Sequence, residues 1–288
     1  MRHPAFLALT LAAALCGSAA ADEELTEHLM TSITLHFRGP APGRLEIRDA
    51  TGAVSVEAYD GQDVEMVVEK TISADNKEDM LAAQREVQLE TTDNASTVGA
   101  IVRYRDQGVC GDGQSESRHS WWPPHYSVRY DFTIRIPRDA LLDLCTINRG
   151  DVRVSGTRGN FKIRSVNGRI TMSDVAGSGS AVTVNGPVAA SFVRAPQSDS
   201  TFKTVNGEVS ITVPDGASAN LRMRTFNGGL FSDFTVVPQS TPNVVTLHKE
   251  GSMSMYRTSG FTTVRIGNGG PEWTLESLNG DVRVIRSK

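Results

Sequence analysis

Polar and apolar residues alternate with period two through much of the first half of the chain. Ser32 to Phe37, Arg44 to Arg48, Val54 to Ala58 and Asp63 to Glu69 place most of their apolar residues on one face. That is the pattern of strands with one side in a core and one in water. Thr51-Gly52 and Asp60-Gly61 supply turns between them. Val87 to Thr91 and Val98 to Tyr104 resume the pattern. Ser127 to Ile136 alternates strictly, with Val128, Tyr130, Phe132, Ile134 and Ile136 on one face. One window breaks the period. Met80, Leu81 and Gln84 stand at helical spacing, behind Asp75 and a Glu78 three residues on. A capping-box arrangement of this kind predicts a short helix over 75–87.

From Cys145 a repeat takes over, Ser/Thr-apolar-Asn-Gly-x-apolar. Its Asn-Gly pairs are Asn167-Gly168, Asn185-Gly186, Asn206-Gly207, Asn227-Gly228 and Asn279-Gly280. Thr146-Ile147-Asn148-Arg149-Gly150 is an imperfect earlier copy. Gly150, Gly168, Gly186, Gly207 and Gly228 are 18, 18, 21 and 21 residues apart. Two residues after each glycine stand Val152, Ile170, Val188, Val209, Leu230 and Val282. Five before stand Ile163, Ala181, Phe202, Met223 and Leu275, followed by the mostly charged Arg164, Val182, Lys203, Arg224 and Glu276. Each place in the unit therefore has a fixed inward or outward character. Strands stacked about 4.8 Å apart produce such equivalence. Asn-Gly supplies the sharp corner, and aligned Asn side chains can form a ladder. Asn-Gly is also a hairpin signal, but hairpins alone do not require matched positions at near-constant spacing. The expected fold is all-β: a parallel β-helix or β-solenoid of 18–21-residue coils over 145–288. A β-rich part with one helix (22–144) precedes it.

These five Asn-Gly units, with the run from Gly267 to Val284, resemble the bacterial putative-adhesin family of unknown function, domain of unknown function 4097. The stretch from Arg44 to Val56 is similar to that family's opening. The resemblance implies an exported β-solenoid and brings no catalytic residues with it.

The first residues fit a targeting segment. Met1, Arg2 and His3 precede an apolar run from Ala5 to Leu15, and Ser18-Ala19-Ala20-Ala21 offers a small-residue cleavage site. A signal peptide over 1–21 is the reading. Leu15 stands where a lipid-attachment signal would need a small residue before Cys16, so ordinary cleavage is expected. No later stretch reaches membrane-spanning length. The expected location is the periplasm or the cell surface and exterior of a bacterium. Cleavage leaves Cys110 and Cys145, an even pair in an oxidising setting. A bridge would close a loop of about 35 residues, contributing roughly 3–4 kcal/mol in the chain-entropy model.

Charge and chemistry narrow the function. Lys and Arg number 29 against 33 acidic residues, which leaves no basic surplus for nucleic acid. No cofactor or metal motif occurs, and neither cysteine has a ligand partner at metal spacing. In the repeat, Asp151, Glu208 and Asp281 share one position, but Arg169 and Pro187 interrupt the row. The distinctive segment is 117–126, where Arg118, His119, Trp121, Trp122, His125 and Tyr126 cluster between the cysteines. Its aromatics could stack on a sugar or anchor a protein, or cap the end of the stack. The expectation is a non-enzymatic envelope or surface module, adhesin-like, with an envelope protein or glycan as partner. The alternative is a carbohydrate-active β-helix enzyme of lyase or hydrolase type.

Overall fold

The computed structural model describes residues 24–104, 107–108, 110, 125–148, 150–239, 245–250, 253–258 and 260–287. The described residues are all-β apart from one helix. Two large open sheets carry the fold, beside a hairpin of Val245–Glu250 with Met253–Thr258. The first sheet runs Leu25–His36, Asp63–Ala74, Tyr126–Pro137, Val54–Tyr59, Val152–Ser155, Ile170–Val175, Val188–Phe192, Val209–Val213, Val282–Arg286, Leu230–Ser232. The second runs Val87–Asp93, Thr97–Tyr104, Arg44–Arg48, Leu141–Asn148, Phe161–Asn167, Gly179–Val182, Ser200–Lys203, Glu272–Glu276, Ala219–Arg224, Thr262–Ile266, Val236–Pro238. Gln107–Gly108 pairs with Thr97–Tyr104 outside that path.

The middle of both sheets is parallel. Val152 lies beside Ile170, Ile170 beside Val188 and Val188 beside Val209, steps of 18, 18 and 21 residues. In the opposite sheet Ile163, Ala181 and Phe202 line up in the same way. All seven of these side chains have 0% exposure. They face one another between the sheets, because strand residues alternate sides and the apolar set shares one side. Phe161, Phe192 and Phe202 meet there with ring centroids 5.9–6.4 Å apart.

The order of strands departs from the order of the sequence at both ends. Arg44–Arg48 lies between Thr97–Tyr104 and Leu141–Asn148, and Val54–Tyr59 between Tyr126–Pro137 and Val152–Ser155. At the far end, Glu272–Glu276 and Val282–Arg286 enter between the strands of 200–213 and those of 219–232. The 21-residue step from Gly207 to Gly228 therefore does not make neighbours of those two corners; Gly280 stands between them. Thr262–Ile266 pairs antiparallel with Ala219–Arg224 rather than adding another parallel strand. The long outer strands Leu25–His36, Asp63–Ala74 and Tyr126–Pro137 are antiparallel to one another.

The helix spans Lys77–Glu86, inside the expected 75–87. Asn76, not Asp75, caps it: its side chain accepts from the backbone N–H of Glu78 (2.9 Å) and Asp79 (3.0 Å). Asp75 directly follows the strand Asp63–Ala74 and donates its N–H to the carbonyl of His125. Among the described residues, no helix is long and apolar enough to cross a membrane.

Candidate functional site

In the described residues of the repeat region, passages from the second sheet to the first run through the Ser/Thr-x-Asn-Gly unit, with one extra residue in its first copy, and its hydroxyl residue, asparagine and glycine do different work. The hydroxyl residue turns inward, with Thr146 at 0% and Thr183 at 1% exposure. In five of the six corners its hydroxyl donates to the glycine carbonyl of a neighbouring corner, while Ser165 Oγ is buried without a partner among the described residues. The pairs are Thr146 to Gly52 (3.1 Å), Thr183 to Gly168 (2.9 Å), Thr204 to Gly186 (2.7 Å), Ser277 to Gly207 (2.8 Å) and Thr225 to Gly280 (2.7 Å). The glycine is required by contact: a Cβ on Gly168 would stand 1.9 Å from the carbonyl oxygen of Gly150.

The asparagine turns outward. Each Nδ2 donates to the Oδ1 of the next asparagine along the stack: Asn167 to Asn148 (3.0 Å), Asn185 to Asn167 (2.7 Å), Asn206 to Asn185 (2.8 Å), Asn279 to Asn206 (2.7 Å) and Asn227 to Asn279 (2.7 Å). A primary amide has two N–H donors and two acceptor positions, so each retains capacity toward solvent. Beside this ladder runs a row of exposed apolar side chains, Val166 (36%), Val184 (37%), Val205 (36%), Leu278 (46%) and Phe226 (57%). At one residue per strand spacing the row extends about 20 Å. Amides and apolar groups thus form a straight rail along one edge of the sheets.

The acids that share a corner position are tied into the scaffold. Asp151 accepts from the N–H of Arg169 (3.0 Å) and pairs with Arg153 (2.9 Å). Asp281 accepts from the N–H of Gly229 (2.9 Å) and pairs with Arg283. The Gly229 N–H, and then Arg283, hold the Asp281 carboxyl below its ordinary pKa. On another face, Phe37, Tyr59, Gln62, Arg138, Asp139 and Arg158 line a cleft of about 480 Å³. Arg138 grips Asp60 there through two hydrogen bonds of 2.6 and 3.2 Å. That pairing holds the Asp60 carboxyl low, with Arg158 adding to it.

The family model Toastrack DUF4097 matches residues 139–284, which hold all of the Asn-Gly corners. The chain belongs to the Toastrack DUF4097 family. Two solved structures align over most of its length. One is described as a putative cell adhesion protein from Clostridium sporogenes, 8% identical, covering 92% of this chain and 100% of that one, with a TM-score of 0.40. The other is described as a putative adhesin from Parabacteroides distasonis, 10% identical, covering 90% and 97%, with a TM-score of 0.27. No curated protein matches the chain.

The aromatic segment lies upstream of the Toastrack match. Arg118, His119, Trp121 and Trp122 fall outside the described residues. His125 and Tyr126 lie next to the helix. His125 Nδ1 is 3.1 Å from Asp75 Oδ2, and the Tyr126 hydroxyl donates to Glu86. Burial, and then Glu86, push the Tyr126 hydroxyl above its ordinary pKa. Cys110 and Cys145 are joined, with Cα atoms 6.1 Å apart. The bridge ties Cys110 to Leu141–Asn148 at the start of the Toastrack region. One corner escapes the Asn-Gly search altogether. Asp49-Ala50-Thr51-Gly52 occupies the register of Thr146-to-Gly150, with Thr51 bridging to Asn148. Its signal is in the sequence, because Ile47 stands five residues before Gly52 and Val54 two after.

Proposed function

We propose that this Toastrack chain is an exported, non-enzymatic envelope or surface module. It holds an envelope component along the rail of Asn amides and exposed Val, Leu and Phe side chains. In this reading residues 1–21 are a signal peptide and the paired sheets form a flattened parallel solenoid over 145–288. Residues 22–144 supply the end of the stack, and Arg118, His119, Trp121 and Trp122 either cap that end or add a contact.

The carrying observation is the rail itself. Five amide-to-amide bonds fix six asparagines in a line. The flanking Val166, Val184, Val205, Leu278 and Phe226 face water although the sheets have a full core. Contiguous apolar rows on a soluble surface mark contact sites, and a fixed amide ladder contributes hydrogen bonds with little loss of side-chain freedom.

The test is retention of the purified chain on fractionated envelope material, with the Val184→Ser/Val205→Ser double variant beside it. Neither residue is in the core, so the variant should melt with the parent while retention falls at least tenfold. Equal retention of both proteins would remove the rail from the proposal. Robust cleavage of an envelope polysaccharide by the parent would replace it with the enzymatic alternative. Mass analysis of the cell-made protein tests export, the expected first residue being Asp22.

A further inference from the structure

We infer that Asp49 is a proton-operated latch: a neutral carboxylic acid that replaces the corner hydroxyl, donates to the Tyr130 carbonyl, and lets go when it ionises. The inference rests on register. Arg48 pairs with Cys145, and Cys145 with Arg164, so the following residues Asp49, Thr146 and Ser165 hold the same place in successive corners. The backbone agrees. Asp49 N–H donates to the Cys145 carbonyl (2.9 Å), Gly52 N–H to Asn148 (3.2 Å), and Tyr130 N–H to Thr51 (2.9 Å).

The acceptor is in place as well. In the next corner a Cβ on Gly150 would meet the Gly52 carbonyl oxygen at 1.9 Å and Thr146 Oγ1 at 2.4 Å. At Gly52 the corresponding atoms are the Tyr130 carbonyl oxygen at 1.8 Å and Asp49 Oδ2 at 3.1 Å. The same three groups, a corner oxygen, a glycine and the carbonyl of the adjacent strand, meet at successive corners; at the third, Ser165 Oγ stands 3.0 Å from a Cβ on Gly168 and has no partner among the described residues. In the Thr146 corner the oxygen carries a hydrogen and makes the bond. Asp49 is 0% exposed, and its Oδ2 has no partner among the described residues, while Oδ1 accepts from the Thr51 N–H (3.2 Å). A carboxylate there would face a carbonyl with no donor between them, which is costly in a buried site. A protonated Oδ2 supplies the missing donor.

Among the described residues, charged groups around the site do not compensate the anion. On the strand Tyr126–Pro137, Asp131 opposes ionisation and Arg129 favours it, but Arg129 is engaged by Asp131 at 2.7 Å. The buried Tyr130 lies between them. On Asp49's own strand, Arg48 is held by Glu46 and Asp143, both at 2.9 Å. Leu141–Asn148 contributes Cys145, bridged to Cys110, and the Cys110 sulfur is 3.7 Å from the Asp49 carbonyl. Burial is the dominant influence and pushes the Asp49 carboxyl up to about 7, from 3.8. The folded pKa is the higher one. The latch therefore contributes fully below about 3.8, weakens as pH climbs, and is lost above about 7. It fastens the joint where Arg44–Tyr59, Tyr126–Pro137 and the disulfide strand meet.

Asp49→Asn keeps the shape, keeps an N–H donor for Tyr130 and carries no charge. Between about pH 4 and 7, the unfolding constant of the parent relative to Asp49→Asn should rise by up to about tenfold per pH unit, and level off outside that window. The Asp49 carboxyl carbon, followed by NMR, should titrate near neutrality. Parallel pH curves for the two proteins would overturn the latch. So would a carboxyl titrating at the ordinary aspartate value, and that measurement on the parent alone decides the matter if the variant does not fold.

Discussion

The middle of the molecule and its two ends use the same strands and corners but assemble them in different orders. From Leu141 to Val213 each strand pairs with the next strand of its own sheet, 18 to 21 residues on. Short closures of this kind have a low entropic cost. At the ends, strands that are neighbours in sequence are pushed apart by a third. Val209 pairs with Val282, and Leu230 with Val282 on its other side. Thr97–Tyr104 pairs with Arg44–Arg48, which pairs in turn with Leu141–Asn148. The corner unit is thus interchangeable. A hydroxyl, an amide and a glycine fit against any other corner of the same kind, and the connections between strands decide which one they meet.

If the inserted end is as firmly built as the middle, equivalent core deletions should cost the same in both. Trp273 in the inserted strand and Phe202 beside it in the middle are both at 0% exposure. Each changed to Ala is expected to lose about 3–5 kcal/mol by denaturant unfolding. A much smaller loss for Trp273→Ala would mean that the inserted strand is docked loosely. A slightly smaller effect is expected at the other end. Cys110→Ser opens the bridge to Cys145 across a separation of 35 residues, and a loss of about 3–4 kcal/mol follows from chain entropy. Amide exchange should show that loss concentrated in strands 44–59 and 126–148, and a uniform loss would erase the distinction between end and middle. The smallest effect belongs to the outer rail. Asn206→Ala removes two of the five amide bonds, yet these are exposed, and about 1 kcal/mol or less is expected. A large loss of stability there would turn the rail into scaffold rather than contact surface.

Much of this was legible in the chain itself. Alternation located the strands from Arg44 to Ile136, because one wet face and one dry face impose period two. Matched positions around Asn-Gly located the corners and the apolar stacks inside them. The order at the far end was not legible, because Thr225-Phe226-Asn227-Gly228 and Ser277-Leu278-Asn279-Gly280 are equally good corners. Nothing local distinguishes a neighbour at a 21-residue step from one 73 residues away. The Asp49 corner was missed for a related reason. With Thr in the Asn position it carries no Asn-Gly, although its flanking Ile47 and Val54 obey the rule of the repeat. Of the aromatic segment, sequence gave composition alone. His125 and Tyr126 meet Asp75 and Glu86 because the helix follows directly on the strand that pairs with theirs.

The inserted strand has a consequence for a chain that leaves the ribosome from its N-terminus. Ala219–Arg224 and Ser200–Lys203 are made long before Glu272–Glu276, which separates them in the finished molecule. Until then the direct 21-residue pairing of Gly207 with Gly228 is open to the growing chain. The late strand must compete with that pairing, by arriving before it closes or by prying it apart. Completion of the fold thereby reports completion of the polypeptide through residue 286. A product stalled before residue 272 lacks the strand that separates Ser200–Lys203 from Ala219–Arg224.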